Sequence, residues 1–294
     1  MKATIISNDF YVSRFLMKDL DESVYKVLFE KQLNLKKSSK TLARIKAFLP
    51  CKAGSESNLV VFAIENIIFL DYVYRNIGKP KVWLWNPITS MTIKNKQFFL
   101  AYVRRRRIDV WTFDIDDAKE YGFHYHCQIH SSSLISTKDF NSGSAFFSGV
   151  DKKRLQLLKL VKKDLSALSL SIDFHIVRDK KTRYIKEDLA ITTDQYMDFS
   201  EYLTRVSSCS VLVDISQTNQ TGITLRVVES LFQNKKLITT NLNVKELDLY
   251  HLNNIYIYGA EKRSMADFLA LPLHRFNFNL KYRYTLEHLL NEML

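Results

Sequence analysis

Asp214, Gln220, Thr221, Gly222, Thr224, Arg226 and Glu229 fall in one stretch, DISQTNQTGITLRVVESLFQNKKLITTN at 214–241. These residue types suit a phosphorylated ligand. A Thr-Gly step at the start of a helix offers free backbone N–H groups and the positive end of the helix dipole. Arg226 can form a fork to a diphosphate or a sugar acid. Glu229, three residues on and on the same helical face, can accept hydrogen bonds from a ribose diol. The same residues also have a plainer reading. Thr221 or Thr224 would then cap a helix, and Arg226 with Glu229 would be a solvated surface pair.

The elements around the stretch must place it. VLVDIS at 211–216 is an apolar, β-branched run that predicts a buried strand. A polar loop follows from Gln217 to Gly222, then a helix with Ile223, Val227, Leu231 and Phe232 apolar. Asn234-Lys235-Lys236 ends it and LITTN begins the next strand. The rest of the chain alternates in the same way. Strands are expected at 2–8, 24–32, 58–66, 81–86, 110–113, 144–149, 172–177, 237–240 and 255–258. Helical periodicity lies between them, most plainly at 151–169, where Leu155, Leu158, Val161, Leu165 and Leu168 form one face. Such alternation predicts parallel, doubly wound α/β sheets. Periodicity fades at 127–143, so domains are expected at 1–135 and 140–275.

The stretch at 214–241 resembles the donor-side segment of bacterial lipopolysaccharide and capsule glycosyltransferases with a GT-B-like fold. It is most similar to the group that includes CgeB-like and lipopolysaccharide-core biosynthesis proteins. Asp214, Gln220, Thr221, Gly222, Thr224, Arg226, Glu229, Lys235, Lys236 and Asn241 supply that group's pattern in order. VWTFDIDDAKEYGF at 110–123, FFSGVDKKRLQLL at 146–158 and IDFHIVRDKK at 172–181 extend the likeness. The resemblance implies two facing Rossmann-like domains, with a C-terminal segment, 276–294, returning toward the first. It implies a sugar moved from a nucleotide-sugar donor onto a lipopolysaccharide-core, O-antigen or capsule acceptor. The donor is then a co-substrate, with no further cofactor.

In doubly wound folds ligands bind at the carboxyl ends of strands. In the second half those ends carry Gly149, Lys152, Arg154, Arg178 and Lys180, besides the stretch already quoted. Gly149 permits a close backbone approach. Lys152, Arg154 and Arg178 could neutralise a diphosphate without a metal ion. In the first half Asp9, Glu65 and Asn86 stand at strand ends, and Asp9 and Glu65 are the candidate bases. An inverting transfer needs such a base, whereas a retaining one can pass the proton to the leaving phosphate. Asp114 reads as a helix cap. His124, His126 and His130 are close in sequence, but no carboxylate or Cys accompanies them at ligand spacing, so no metal is expected there.

A chain of 294 residues with 46% hydrophobic and 25% charged residues has enough apolar content for two packed domains and excludes disorder. Three scattered cysteines, Cys51, Cys127 and Cys209, point to a reducing cytosol. The opening MKATIISNDFYVSRFL carries charge too early for a signal peptide. A net charge of +12 asks for an anionic partner. Arg104, Arg105, Arg106 and Arg107 are the sharpest basic run, and either face an acceptor or the anionic inner face of the bacterial inner membrane, or simply end a helix. The expectation is a cytoplasmic, membrane-peripheral glycosyltransferase. Its rivals are a sugar-nucleotide-binding or glycan-binding protein without turnover, and a basic nucleic-acid-binding protein. No nucleic-acid motif is present, so no nucleic-acid partner is expected.

Overall fold

The computed structural model describes residues 3–33, 39–135, 143–217 and 222–294. The chain divides into two compact units, Met1–Ser131 with Thr285–Leu294, and Ser132–Tyr284. Each is built on a wholly parallel sheet.

In unit 1 the strands are β1 (Ala3–Ser7), β2 (Tyr25–Phe29), β3 (Leu59–Phe62), β4 (Lys81–Leu84), β5 (Val110–Thr112) and β6 (His124–Tyr125). Their order is β2-β1-β3-β4-β5-β6. The helices are α1 (Tyr11–Met17), α2 (Lys40–Ala47), α3 (Ile67–Asn76), α4 (Ile93–Arg106) and α5 (Ile115–Tyr121). Alternation along the strands sends side chains to opposite faces. Ile6, Val61, Val82 and Leu84 join a core with Leu70, Val73, Phe99 and Tyr102 of α3 and α4. Ile5, Val60, Phe62 and Trp83 join a second core with Leu16 and Met17 of α1. That second core is completed by Leu286, Leu289, Leu290 and Met293, all buried, from the last helix of the chain. Both faces are therefore covered, and the doubly wound expectation holds.

Unit 2 has β7 (Ser144–Val150), β8 (Ser171–Val177), β9 (Val211–Asp214), β10 (Lys236–Thr239) and β11 (Ile255–Ile257), in the order β11-β10-β9-β7-β8. Its helices are α6 (Leu155–Ser166), α7 (Lys186–Leu189), α8 (Phe199–Ser208), α9 (Leu225–Phe232), α10 (Met265–Ala270) and α11 (Phe278–Tyr282). Leu158, Val161 and Leu165 of α6 meet Phe147, Val211, Val213 and Ile238 on one face. On the other, the Phe146 ring lies 5.8 Å from Tyr202 of α8. The chain closes with α12 (Leu286–Met293), which belongs to unit 1.

One helix start differs from the sequence pattern. α6 begins at Leu155, because Lys152 and Lys153 take left-handed φ values of 43° and 67°. α8 begins at Phe199, where Asp198 caps it by accepting from Ser200 N at 2.8 Å. Among the described residues no helix is long and apolar enough to cross a membrane.

Candidate functional site

Both sheets reverse their strand order beside their first strand, and in such sheets that reversal opens a crevice outside the carboxyl ends. In unit 2 the reversal lies between β7 and β9. Gly149 stands at the end of β7 and Asp214 at the end of β9. A Cβ on Gly149 would lie 3.2 Å from Nη2 of Arg154 and 3.2 Å from Nη2 of Arg226. Two guanidinium groups thus converge where the chain has no side chain. Arg154 comes from the residue preceding α6 and Arg226 from the first turn of α9. Both lie against the Phe147 ring, at 5.3 and 5.0 Å from its centre.

Arg154 is buried and held on three sides. Nε donates to Asp151 O at 3.0 Å, Nη1 to Ile215 O at 2.7 Å, and Nη2 to Val150 O. Burial, followed by the neighbouring Arg226, pulls its pKa down to about 10. Arg226 is only 14% exposed along its side chain. Its Nη1 lies 3.4 Å from Asp214 Oδ1, and Nη2 donates to Ser148 O. Its Nε has no partner among the described residues. Asp214 is fully buried and also accepts from Thr224 Oγ1 at 2.9 Å and Thr239 Oγ1 at 3.1 Å. The nearby Asp151 carboxylate is already engaged by Leu155 N at 2.7 Å and Tyr184 Oη at 2.8 Å. Asp214 pairs with Arg226, and Asp151 and Asp214 both act on Arg154, so the two guanidinium groups lie beside carboxylates with N–H groups turned toward Gly149. Such a spot binds an anion and stabilises charge that develops on a departing phosphate.

The flanking loop is set by Asn241, whose Nδ2 donates to Gly222 O at 3.2 Å. Thr224 spends its hydroxyl on Asp214 and makes no side-chain cap on α9. Gln220 and Thr221 lie outside the described residues.

Glu229 requires correction. It is 0% exposed, and Tyr202 Oη donates to its Oε2 at 2.5 Å. The residue faces the interior between α9 and α8, so it is not half of a solvated pair, and one of its oxygens is taken by Tyr202. Burial, reinforced by Glu229, holds the Tyr202 hydroxyl far above its usual pKa, so it stays a donor. Arg178 is also engaged elsewhere. Its Nε donates to Asp194 Oδ1 at 2.6 Å and Nη2 to the other oxygen. Lys235 and Lys236 act on the backbone. Lys235 Nζ donates to Ser207 O at 2.6 Å, and Lys236 Nζ to Asn253 O at 2.8 Å and Phe268 O at 2.9 Å.

In unit 1 the reversal lies between β1 and β3. Asn8 ties the two strand ends, donating from Nδ2 to Ala63 O at 2.9 Å. Glu65 follows Ala63, which takes a left-handed φ of 59°. Glu65 Oε1 is buried without a partner among the described residues, and burial raises the carboxyl above its usual range. A carboxyl shifted upward holds a proton more readily than an ordinary one and is the better candidate for proton transfer. Asp9 is the opposite case. Lys31 Nζ lies 2.6 Å from Oδ2, and Arg14 Nε donates to Oδ1 at 2.5 Å. The Lys31 bond, with Arg14 behind it, holds Asp9 below the ordinary carboxylate range, which makes it a poor base.

The arginine run does not form one surface. Arg104, Arg105 and Arg107 are exposed, whereas Arg106 is buried. Its Nη2 donates to Ala47 O and Leu49 O, each at 2.8 Å, and lies 3.3 Å from Asp71 Oδ1. Helical spacing turns every fourth side chain inward, and Tyr102 and Arg106 share that face. Asp114 caps α5 as expected, accepting from Asp116 N and Asp117 N at 3.1 Å.

The three histidines do not gather. His124 stacks on Trp111 at 4.8 Å, and His130 Nδ1 accepts from Ser131 N at 2.7 Å. His126 instead meets His288 and Glu292 of α12. Sequence reading could not find these partners, because they come from the far end of the chain.

No family model matches the chain, and no curated protein matches it. Among solved structures, it is similar to an alpha-glucosyltransferase in complex with UDP and a mismatch-containing DNA. The identity is 14%, over 82% of this chain and 81% of that one, with a TM-score of 0.49. It is also similar to a Listeria monocytogenes protein provisionally assigned as a UDP-N-acetylglucosamine 2-epimerase. The identity there is 8%, over 100% and 95% of the two chains, with a TM-score of 0.47. At these scores neither likeness assigns the chain a fold family or an activity.

Proposed function

We propose that the chain is a nucleotide-sugar-dependent glycosyltransferase of GT-B-like architecture, with the donor on unit 2 and the acceptor on unit 1. The observation that carries this reading is the convergence of Arg154 and Arg226 on Gly149, at the strand-order reversal between β7 and β9. A donor diphosphate supplies the anion that this point lacks. The two guanidinium groups would hold it and stabilise the leaving nucleoside diphosphate, in the role a divalent ion serves elsewhere. Gly222 and Thr224 line the neighbouring loop. Glu65 is the group for the acceptor proton.

The acceptor class follows from the sequence resemblance: a lipopolysaccharide-core, O-antigen or capsule glycan, met at the inner face of the inner membrane. Exposed Arg104, Arg105 and Arg107, with the net charge of +12, support an anionic acceptor or leaflet. The test is a thermal-shift screen across UDP-, GDP-, CMP- and dTDP-sugars with a chelator present. At least one nucleotide class should raise Tm, and Arg226→Lys should lower that rise at the same donor concentration. No shift with any donor would sink the reading. Donor hydrolysis then separates an enzyme from a protein that only binds.

A further inference from the structure

We propose that His126, His288 and Glu292 form a transition-metal site, best matched by Zn²⁺, that clamps α12 onto unit 1. The site is independent of the Gly149 region. Three distances carry it. His126 Nε2 lies 3.4 Å from His288 Nδ1 and 3.9 Å from Glu292 Oε2, and His288 Nδ1 lies 3.9 Å from Glu292 Oε1. Zinc bonds of about 2.0–2.1 Å in a tetrahedron place ligand atoms roughly 3.3–3.4 Å apart. One edge already has that length. The other two run to different carboxylate oxygens; with one ligand atom from each residue the three lie within 4.8 Å of one another, and the Glu292 side chain, 45% exposed, must turn to close the triangle.

The supporting contacts suit metal ligation. His126 Nδ1 lies 2.7 Å from Cys127 O. A carbonyl only accepts, so Nδ1 carries the proton and Nε2 presents its lone pair to the cluster. Ligating imidazoles are oriented in this way by an outer hydrogen bond. His126 is buried, with its ring edge-on to Trp83 at 6.2 Å. His288 and Glu292 are four apart on α12 and therefore share a face. Thr285 Oγ1 accepts from His288 N at 3.2 Å, and Leu286, Leu289, Leu290 and Met293 fix the helix from its buried side. The ligands are thus held by a rigid backbone on both sides. His288 is 25% exposed along its side chain, which leaves a route for the ion and a position for water. Two imidazoles and one carboxylate select zinc and its transition-metal neighbours over calcium or magnesium, which prefer all-oxygen shells.

The test uses untagged, chelator-stripped full chain, titrated with Zn²⁺ against a chromophoric chelator. One ion should bind per chain and raise Tm, and Co²⁺ should give the visible absorption of a four-coordinate nitrogen and oxygen site. His288→Ala and Glu292→Gln should each weaken zinc binding by more than about 100-fold, since even outer-shell changes cost 10–100-fold. Both residues are partly exposed, so circular dichroism should show a native fold, and Glu292→Gln keeps the shape if His288→Ala does not fold. His124→Ala should leave affinity unchanged. Zinc affinity equal in parent and both variants, or no zinc binding by the parent, would overturn the proposal.

Discussion

Arg154 and Arg226 each bring Nη2 to 3.2 Å from where a Cβ on Gly149 would stand. Like charges do not approach this way without a reason. The carbonyls of Ser148 and Val150 and the Asp214 and Asp151 carboxylates hold them there, and under the proposed function a donor diphosphate would join them. Arg226→Lys keeps the charge but loses the fork. Donor diphosphate affinity should fall by roughly 1.5–3 kcal/mol, the worth of a charged hydrogen bond, while the fold stays intact. Calorimetric titration with the nucleotide found in the screen checks this, and unchanged affinity would remove the site.

Gly149→Ala tests the same point from the other side. The new methyl would press on both guanidinium groups at 3.2 Å, so each must give by a few tenths of an ångström. Anion affinity should drop further than stability. A variant that binds the donor as the parent does would show that nothing approaches the backbone there.

Glu229 and Tyr202 should behave as a stability pair. Tyr202→Phe removes one hydrogen bond to a buried carboxylate and should cost about 1.5–3 kcal/mol in chemical denaturation. Donor affinity in the folded variant should not change. A selective loss of donor binding with parental stability would restore Glu229 to the ligand.

The arginines of α4 should split. Arg106→Ala removes one of the two arginines on Asp71, Arg75 remaining at 2.7 Å, and leaves the Ala47 and Leu49 carbonyls without their donor; it should destabilise unit 1 by about 1–3 kcal/mol. Reversing Arg104, Arg105 and Arg107 to Glu should leave stability near parental. It should weaken binding to anionic vesicles, where each basic residue contributes about 1 kcal/mol. Vesicle flotation at two salt concentrations reads this out, and unaltered binding would make these residues an ordinary helix end.

Asp117 gives stability a pH dependence. Burial raises its pKa to about 6, against an ordinary value of 3.8, even though Ile88 N donates to it at 2.7 Å. The folded state therefore holds a proton that the unfolded chain releases between about pH 4 and 6. That contribution is complete below about pH 4 and is lost as pH rises through 6. Asp117→Asn should flatten this part of the stability curve, by on the order of 2 kcal/mol between its ends. A parental slope in the variant would assign the effect to another group.

The alternation of strands and helices was legible in the sequence because period and apolar content are local properties. Asp214, Thr224 and Arg226 of the quoted stretch do meet, a contact between a strand end and a helix start that spacing alone does not state. What each side chain faces was not legible. Glu229 and Arg226 lie three apart and share a helical face in projection, yet one is sealed against Tyr202 and the other reaches Gly149. Four consecutive arginines look like one patch until the helix turns Arg106 toward Asp71. His126 gained its partners from residues 288 and 292, which no spacing rule could reach.

Unit 1 takes its chain from both sides of unit 2. Synthesis runs in one direction, so this has an order built into it. By the time residue 284 has emerged, unit 2 has all of its own chain and can close. Unit 1 at that moment still lacks Leu286, Leu289, Leu290 and Met293, and the core over β1, β3 and β4 is only partly covered, by α1 and its neighbours. The unit whose synthesis starts first is therefore completed after the other, and removing residues 285–294 would leave a complete unit 2 joined to a sheet with one face partly bare.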